Sequence, residues 1–488
     1  MAQCTAVIDI GSNSMRMAVF QKTSRFAFHI LHEVKSSVRI SENAYKNKGH
    51  LQNEAMERTA QAIGEFLSIA HSFDARKILC VATSALRDAP NASTFLSQIK
   101  AKHNLSIKVI SGEKEAYFGG MACANLLPAI SKAITVDVGG GSTEFTVLQN
   151  GKVEQLFSLN IGTVRIKELF FDRDDSAGAI NYIDEMLKQL PNFEVNTLIG
   201  IGGTFRALSR SLMKKEEYPL KKLHAFTTDE SSFLRFTNQI LNASPKKLRS
   251  LFIKPDRFDT IKPGALILER ILKHTQAKTL ISSGVGVREG VFLSDLLRNA
   301  GDKFPSNYNP SVRYLLDTYS IHSDHAQQCA HLSKRLFELL QTSLEIDSKY
   351  KFELVIAAKL LSIGVGVRYY AHSRHSHYLA MSALDYALSH PQIALISHLL
   401  LFKKGNSASD LIPKGSYGSL LPDNATLDAL SAILRLSHIL LASRVNASEI
   451  TLYKDGEELV IEGKHLYLAR EQLKNIVLPK GLKVTLIN

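Results

Sequence analysis

The chain has 488 residues, of which 45% are apolar and 22% are charged. That composition excludes a disordered or fibrous protein, and the length exceeds what one hydrophobic core usually serves, which predicts more than one domain. Lys and Arg number 59 against 46 Asp and Glu, so the net charge is +13. Such an excess favours an anionic partner and leaves open whether it is nucleic acid, an acidic membrane surface or a phosphate-rich molecule.

The sequence also indicates the cellular compartment in which we expect the protein. No apolar run reaches the ~18 residues that a membrane-spanning helix needs. The first residues enter a strand pattern at once, without the basic and apolar segments of a secretory signal. The four cysteines, Cys4, Cys80, Cys123 and Cys329, are far apart and form no C-x-x-C pair. We therefore expect a reduced, cytoplasmic protein.

The first 125 residues alternate strand and helix patterns. Short apolar runs predict strands over residues 5–11, 25–31, 75–83 and 105–112. Between them, residues 53–72 carry apolar side chains at helical spacing, with Asn53 as the expected cap. The same alternation resumes after residue 126 and includes strand patterns over 197–203 and 279–286. It predicts a mixed α/β architecture.

The composition and the predicted secondary structure of the chain change near residue 300. The segment 300–310 is rich in Gly, Pro, Asn and Ser and is typical of a linker. Residues 311–441 are helical by periodicity, and Asp455-Gly456 between two alternating runs predicts a terminal hairpin. We expect three domains: 1–125, 126–300 and 301–488.

One internal echo stands out: VIDIGSNSMRMAVF at 7–20 and TVDVGGGSTEFTVL at 135–148. In each copy a strand reaches an Asp, turns through small residues and returns. Such a turn directs backbone N–H groups at one point, which favours an anion, and Asp9 and Asp137 are suited to a cation that bridges phosphate oxygens. A single copy would favour an ordinary β-turn, whereas two copies in register favour a phosphate clamp.

Two further glycine-rich turns follow predicted strands. Gly202, Gly203 and Thr204 precede one helical segment, and the run 282–290 precedes another. Neither matches the G-x-x-x-x-G-K-[ST] phosphate loop or a complete G-x-G-x-x-G. By themselves they therefore do not indicate nucleotide binding.

Taken together, the segments DIGSNS, ATSALRDA, SGEKEA, DVGGGSTE, IGGTFRAL and GVREG resemble the exopolyphosphatase/guanosine pentaphosphate phosphohydrolase (Ppx/GppA) family in their order. The resemblance spans residues 5–290. It implies a duplicated actin-like (ribonuclease H-like) fold, followed by an all-helical domain of the histidine–aspartate (HD) type, to which the helical remainder is more weakly similar.

The resemblance also implies roles for residues. Glu115, in SGEKEA, matches the catalytic carboxylate, although Lys114 stands where the family has a first Glu. Arg87 matches a residue that holds the terminal phosphate, and Asp137 and Glu144 match the family's magnesium ligands. The implied phosphate-binding residues are Asp9, Ser12, Asn13, Ser14, Thr83, Ser84, Gly139, Gly140, Gly141, Ser142, Gly202, Gly203, Thr204 and Arg288.

The helical region departs from its pattern. Metal-dependent members of the HD type need A-A-x-L-H-D-I-G, but here Leu361-Ser362 replaces the His-Asp doublet, and neither side chain ligates as those do. We expect most of the remaining histidines, including His325, His372, His375 and His377, to be surface or packing residues. Lys403 and Lys404 are candidates for a basic path along which a polyanion is guided.

The resemblance implies a Mg²⁺-dependent (or other divalent-cation-dependent) exopolyphosphatase that also hydrolyses guanosine pentaphosphate, a nucleotide of the stringent response, and that is a homodimer. Two alternatives remain open: guanosine pentaphosphate as the main substrate, and an actin-like nucleotide-binding protein without this hydrolysis. A nucleic-acid-binding protein is disfavoured because no recognisable nucleic-acid module is present.

Overall fold

The computed structural model describes residues 3–403, 405–445, 447–456, 458–479 and 481–487. Lys404, one of the two lysines of the expected basic path, lies outside these residues. The chain divides into two compact units, Met1–Tyr308 and Asn309–Asn488. We call them the α/β unit and the helical unit. The division falls within the predicted linker.

The first half of the α/β unit is built on a five-stranded sheet of order β3-β2-β1-β4-β5. Its strands are β1 Cys4–Ile10, β2 Met15–Lys22, β3 Phe28–Ser36, β4 Ala75–Ala82 and β5 Lys108–Val109. Its helices are α1 Asn53–Ser72, α2 Ser84–Arg87, α3 Ala92–His103 and α4 Gly112–Leu126. The first three strands form an antiparallel meander, whereas β4 and β5 run parallel to β1.

The second half repeats this plan. Read from β8, its sheet has the order β8-β7-β6-β9-β11-β10, with the same antiparallel meander and two parallel strands, plus β10 at the edge. Its strands are β6 Lys132–Val138, β7 Thr143–Gln149, β8 Lys152–Leu159, β9 Thr197–Ile201, β10 Thr227–Asp229 and β11 Thr279–Ser282. Its helices are α5 Thr163–Leu169, α6 Ser176–Leu187, α7 Gly202–Lys215, α8 Glu230–Leu241, α9 Pro245–Ser250, α10 Ile261–Thr275 and α11 Val287–Leu296.

The two halves exchange helices. Helix α4 packs against β7 and β8 of the second sheet, and α11 packs against β1 and β2 of the first. The two helices contact each other so closely that a Cβ atom on Gly290 would lie 2.1 Å from the backbone oxygen of Phe118. Phe20 of β2 stacks on Phe292 of α11 at a centroid distance of 4.2 Å. This packing brings Glu115 of α4 and Arg288 of α11 to the same region.

The helical unit has its own apolar core, in which Leu336, Phe337, Leu430 and Ile433 are fully buried. Its helices are α12 Pro310–Tyr319, α13 Ser323–Leu340, α14 Lys351–Leu360, α15 His372–Ala383, α16 His390–Leu399, α17 Asn424–Leu440 and α18 Tyr467–Leu473. A three-stranded sheet is formed by β12 Thr451–Asp455, β13 Glu458–Glu462 and β14 Lys483–Ile487. The predicted hairpin at Asp455-Gly456 joins β12 to β13, which pair antiparallel.

Three local predictions need correction. The strand expected over 25–31 begins at Phe28 and continues to Ser36, because Thr23 N–H donates to the carbonyl of Ala27 in the preceding turn. The strand expected over 105–112 is confined to Lys108–Val109. Asn53 is the first residue of α1 rather than its cap, and the cap position is occupied by Gln52, whose side chain makes no capping hydrogen bond.

Two further observations concern the cysteines and the hydropathy of the helices. Cys4, Cys80, Cys123 and Cys329 are buried and free. Among the helices that the structure describes, none combines the length and the apolar character needed to cross a membrane.

Candidate active site

The two copies of the sequence echo form the same hairpin. In the first, Asp9 of β1 pairs with Arg16 of β2, and Gly11 N–H donates to Ser14 carbonyl at 3.2 Å. In the second, Asp137 pairs with Glu144, and the N–H group at residue 139 donates to the carbonyl of residue 142 at 3.0 Å. The two turns face each other. A Cβ atom on the glycine at 140 would lie 2.6 Å from the Cβ atom of the serine at 12.

A third segment joins the two turns. Strand β4 ends beside β1, and Thr83 and Ser84 follow it at the start of α2. The Ser84 hydroxyl lies 3.1 Å from that of Ser12 in the first turn. On α2, Arg87 donates through Nη1 to Glu115 Oε2 at 3.0 Å and through Nη2 to Ser142 Oγ at 3.3 Å. Arg87 therefore ties the expected catalytic carboxylate to the second turn.

Glu115 lies in the first turns of α4. The Ser111 hydroxyl caps this helix by accepting from Lys114 N–H, and Glu115 is 8% exposed. Burial raises the pKa of Glu115 well above its ordinary value, and the charge of Glu144 adds to this effect, while Arg87 opposes it. A carboxyl with so high a pKa, hydrogen-bonded to an arginine, is suited to exchange a proton with a reacting water.

Two more carboxyl groups of the site have raised pKa values. Burial raises the pKa of Glu144 to about 8, with a further contribution from Asp137, against hydrogen bonds from Ser142 and Ser158. Burial also raises the pKa of Asp137. Glu144 Oε2 is buried and has no hydrogen-bond partner among the residues that the structure describes. Asp137 and Glu144 are direct neighbours across β6 and β7, so their side chains lie on one face of the sheet.

This donor set fits a divalent cation. Mg²⁺ is usually held by one or two carboxylates, with phosphate oxygens and water completing its shell. Glu144 provides the unpartnered oxygen, and Asp137 the second carboxylate. Asp9 is similar: burial raises its pKa to about 6, and its Oδ1 has no hydrogen-bond partner. A cation here would stabilise the ionised form of each carboxyl.

Basic side chains form the opposite wall. Arg206 of α7 donates to the carbonyls of Gly202 and Gly284 at 3.0 and 3.2 Å. Arg288 of α11 pairs with Glu33 at 2.9 Å, and its Nη1 is buried without a hydrogen-bond partner. Burial lowers the pKa of Arg16 to about 10, and the charges of Arg206 and Arg288 add to the effect. Arginines that depress one another's pKa are stabilised by a bound anion.

These groups surround a cavity of about 140 Å³. Of the residues implied by the resemblance, it is lined by Asp9, Ser12, Asn13, Ser14, Thr83, Ser84, Glu115, Asp137, Gly139, Gly140, Gly202, Gly203, Thr204 and Arg288. Arg87 adjoins it through its hydrogen bond to Glu115, Ser142 through its hydrogen bond from Arg87, and Glu144 through its pairing with Asp137, and a Cβ atom on Gly141 would lie 2.8 Å from Ser84 Oγ. Thus segments separated by up to 280 residues of sequence meet at one place.

Gly202 shows why a glycine is required in one of the turns. Its φ is +82°, a conformation that residues with a Cβ atom rarely adopt. A Cβ atom there would also lie 2.3 Å from Asp137 Oδ1. Any other residue would therefore displace the expected metal ligand.

Sequence reasoning missed five charged residues of the cavity, namely Arg16, Lys35, Arg206, Arg257 and Glu289. Three of them had a signal. Arg206 and Glu289 stand inside the motifs IGGTFRAL and GVREG, and Arg16 occupies the position in the first hairpin that Glu144 occupies in the second. Lys35 and Arg257 lie in no such pattern.

Comparison with known proteins decides the family. The model of the Ppx/GppA phosphatase family matches residues 18–299, and that of its domain III matches residues 309–480. The chain belongs to the Ppx/GppA phosphatase family. Its two sheets and C-terminal helical region agree with the actin-like domains and added helical domain expected of such a member.

Similar proteins include solved Ppx/GppA structures. A family member from Aquifex aeolicus is 26% identical, covers 63% of this chain and 100% of its own, and gives a TM-score of 0.53. An exopolyphosphatase from Cytophaga hutchinsonii, at 23% identity, covers 60% and 98% with a TM-score of 0.56, which indicates a shared fold.

A curated relative is longer than this chain. A bifunctional 3-dehydroquinate synthase/phosphatase of Fusobacterium nucleatum is 32% identical over 289 residues. The match takes in 55% of this chain and 43% of the relative. The chain therefore spans less than half of that protein.

Proposed function

We propose that this Ppx/GppA phosphatase is an exopolyphosphatase, which releases terminal orthophosphate from inorganic polyphosphate and also converts guanosine pentaphosphate to the tetraphosphate. The observation that carries the proposal is the ion pair between Arg87 and Glu115, at 3.0 Å, beside two facing phosphate-type turns. It combines a proton acceptor and an anion-binding fork within reach of one phosphoryl group.

Glu115 acts on the water. In its ionised form it accepts a hydrogen bond from a water molecule and directs the water oxygen at the terminal phosphorus. As the new P–O bond forms and the bridging P–O bond breaks, Glu115 takes the proton. The products are orthophosphate and a chain shortened by one phosphate. Arg87 keeps the carboxylate in place because its Nη1 donates to Oε2.

The turns and the arginines act on the phosphate. The turns at Gly11–Ser14 and Gly139–Ser142 contribute residues to the cavity wall, and their backbone N–H groups bind the oxygens of the terminal phosphoryl group, apart from those of Gly11 and Gly139, which donate within the turns. The positive charge of Arg87, which stays paired with Glu115, stabilises the negative charge that develops on these oxygens. Asp137 and Glu144 are placed to hold Mg²⁺ or another divalent cation, which supplies positive charge for the phosphate oxygens when bound.

The basic wall favours a substrate with several phosphates. Arg16, Lys35, Arg206, Arg257 and Arg288 line the cavity together. A single orthophosphate would not occupy five cationic side chains, whereas the second and third phosphates of a chain can reach them. This supports a substrate with at least three linked phosphates, a condition that polyphosphate and a guanosine nucleotide with a triphosphate group both meet.

The proposal is tested by phosphate release from long-chain polyphosphate and guanosine pentaphosphate, each with Mg²⁺ and with a chelator. We expect magnesium-dependent release, which falls by roughly 10²- to 10⁴-fold in Glu115→Gln while polyphosphate binding persists. Glu113→Gln is the matched control, because Glu113 lies exposed in the same helical turn. Equal turnover in wild type and Glu115→Gln would overturn the assignment, and tight ATP binding without hydrolysis would favour the actin-like nucleotide-binding alternative.

Two further features follow from the family alone and are proposals for this chain. One is a cytoplasmic location. The other is a homodimer, which light scattering of the purified protein would detect as twice the mass expected from its sequence.

A further inference from the structure

A second group of ligating side chains lies in the helical unit. His325 and Cys329 are four residues apart on α13, so they share one face of that helix. Helix α17 packs against α13 and brings His438 to them. One coordinating atom from each of these three residues lies within 4.8 Å of the other two. No part of the phosphatase mechanism uses them.

The spacing within this group matches a metal site. Cys329 Sγ lies 3.5 Å from His325 Nε2. In a tetrahedral zinc site the bonds to sulfur and nitrogen are about 2.3 and 2.0 Å, which sets the edge between two such ligands at about 3.5 Å. The observed pair therefore already has the separation of two zinc ligands. Only a small shift of His438 is needed to complete a face of the tetrahedron.

The histidines of this group differ from the packing histidines of the same unit. His398 is satisfied on both nitrogens, by Tyr417 and the carbonyl of Ala408, and His377 contacts the carbonyl of Ser397 at 2.8 Å. In contrast, His325 Nδ1 and His438 Nδ1 are buried without a hydrogen-bond partner among the described residues. Buried polar atoms of this kind are rare without a function. The unpartnered Nδ1 of His438 is available to a metal ion, whereas His325 faces the thiol of Cys329 through Nε2, which is the atom that would bind a metal there.

The surroundings of His325 and His438 leave their imidazole nitrogens available to bind a metal ion. Burial lowers the pKa of His325 and of His438 to about 4, with added effects from Arg444 on both, so each ring is neutral and keeps a lone pair at neutral pH. Burial raises the pKa of Cys329 to about 12, while Arg444 opposes the change. The thiol must therefore lose its proton to solvent as a metal–sulfur bond forms. Arg444 is exposed and free to turn outward.

A cavity of about 40 Å³ adjoins the group, which exceeds the space that one water needs. His325, Cys329 and Arg444 line it, and so does Ser362, which stands where the HD pattern has its aspartate. The hard oxygen ligand of that pattern is thus absent from this position, while a soft thiol enters the same cavity. A ligand set of this kind favours a softer metal than Mg²⁺.

We propose that His325, Cys329 and His438 bind a zinc ion, with water from the cavity as its fourth ligand. Three protein ligands and an open position are typical of accessible zinc sites. The site is independent of the proposed phosphatase reaction. On this proposal His325 is the exception among the histidines for which most were expected to have a surface or packing role, and His377 agrees with that expectation through its contact with the carbonyl of Ser397.

The test uses the full chain, stripped of metal and then titrated with Co²⁺ as a spectroscopic probe for zinc. We expect a thiolate-to-cobalt charge-transfer band, displaced by Zn²⁺, in the wild type and in Cys4→Ser, which removes another buried cysteine. Cys329→Ser should lose the band, and His438→Asn should weaken cobalt binding. His375→Asn serves as the matched histidine control.

Folding is monitored separately so that a collapsed variant does not count as support. Far-ultraviolet circular dichroism must show unchanged helicity in each variant, and zinc should raise the melting temperature of the wild type but not of Cys329→Ser. Absence of the charge-transfer band in folded wild-type protein at saturating cobalt would overturn the proposal. So would a band of equal strength in Cys329→Ser.

Discussion

The two halves of the α/β unit share one scaffold and carry different charges at the matched position of their hairpins. Asp9 and Asp137 occupy the same place in β1 and β6. The residue across from Asp9 is Arg16, whereas the residue across from Asp137 is Glu144. One half therefore pairs an acidic with a basic side chain, and the other pairs two carboxyl groups, whose pKa values are raised.

Because of this difference, the two sides of the site are suited to different roles. The Asp9–Arg16 side is continuous with Arg206 and Arg288 and is suited to the phosphate chain. On the Asp137–Glu144 side, the cross-strand neighbour is a second carboxyl rather than an arginine, so that side is better suited to a cation and to the water-activating Glu115. A duplicated fold thus becomes one asymmetric active site through a single change of charge at equivalent positions.

The largest expected effect comes from removing the charge that distinguishes the second hairpin. Glu144→Gln deletes an expected cation ligand and should lower kcat for polyphosphate by roughly 10³-fold. Phosphate release at saturating Mg²⁺ measures it. Glu154→Gln, an exposed carboxylate on β8 of the same sheet, is the control and should behave as wild type. Near-normal kcat in Glu144→Gln would mean that the two hairpins are not functionally distinct.

The same variant should be more stable than the wild type. The folded state raises the pKa of Glu144 from 4.5 to about 8, so its contribution to stability is complete below about pH 4.5 and is lost as the pH rises through about 8. Glutamine has no such loss. We expect Glu144→Gln to gain about 3 kcal/mol at pH 7 and almost nothing at pH 4. Urea unfolding at the two pH values measures it, and a variant less stable at both would contradict the electrostatic account.

A smaller effect is expected from the first hairpin. Arg16→Gln removes one cation from the phosphate wall and should raise KM for polyphosphate by roughly tenfold, with little change in kcat. The salt dependence of KM should also weaken. Steady-state kinetics at two ionic strengths measure both, with Arg25→Gln, an exposed arginine outside the cavity, as the control. If kcat falls and KM does not, Arg16 acts in the chemical step instead.

The smallest effect is the pH dependence of the wild type. Glu115 must be ionised to take a proton, and burial together with Glu144 raises its pKa well above the ordinary value. The rate should therefore fall as the pH is lowered through this raised pKa, at higher pH than for an ordinary glutamate. A profile of kcat/KM against pH measures it. A rate that stays constant down to about pH 5 would exclude Glu115 as the base.

Much of the α/β unit could be predicted from local patterns. The alternation of apolar runs with amphipathic segments gave the strands and α1, because strand and helix each impose their own spacing on a buried face. The repeated Asp-x-Gly turns predicted the paired hairpins, since a tight turn between strands restricts residue type. The start of β3 and the cap of α1 were missed because these ends depend on neighbouring turns rather than on local preference.

Some charged residues of the cavity wall could not be predicted from local sequence patterns. Lys35 and Arg257 look like ordinary surface residues in the sequence, and only the tertiary packing places them around one cavity. The helical unit gives the same lesson. His325 and His438 are 113 residues apart, so no spacing rule connects them, and they meet because α17 packs on α13.

The sequence by itself predicted most of the secondary-structure elements and the duplicated hairpin. Six short motifs in it also indicated the family and its expected catalytic residues. These are properties of neighbouring residues, and local backbone geometry and hydrophobic spacing express them directly. The tertiary structure decided which charges face one another, how burial shifts the pKa of each carboxyl, and which histidines lack a partner. Those depend on distance and solvent exclusion between distant segments, which become defined only when the helices and sheets are packed.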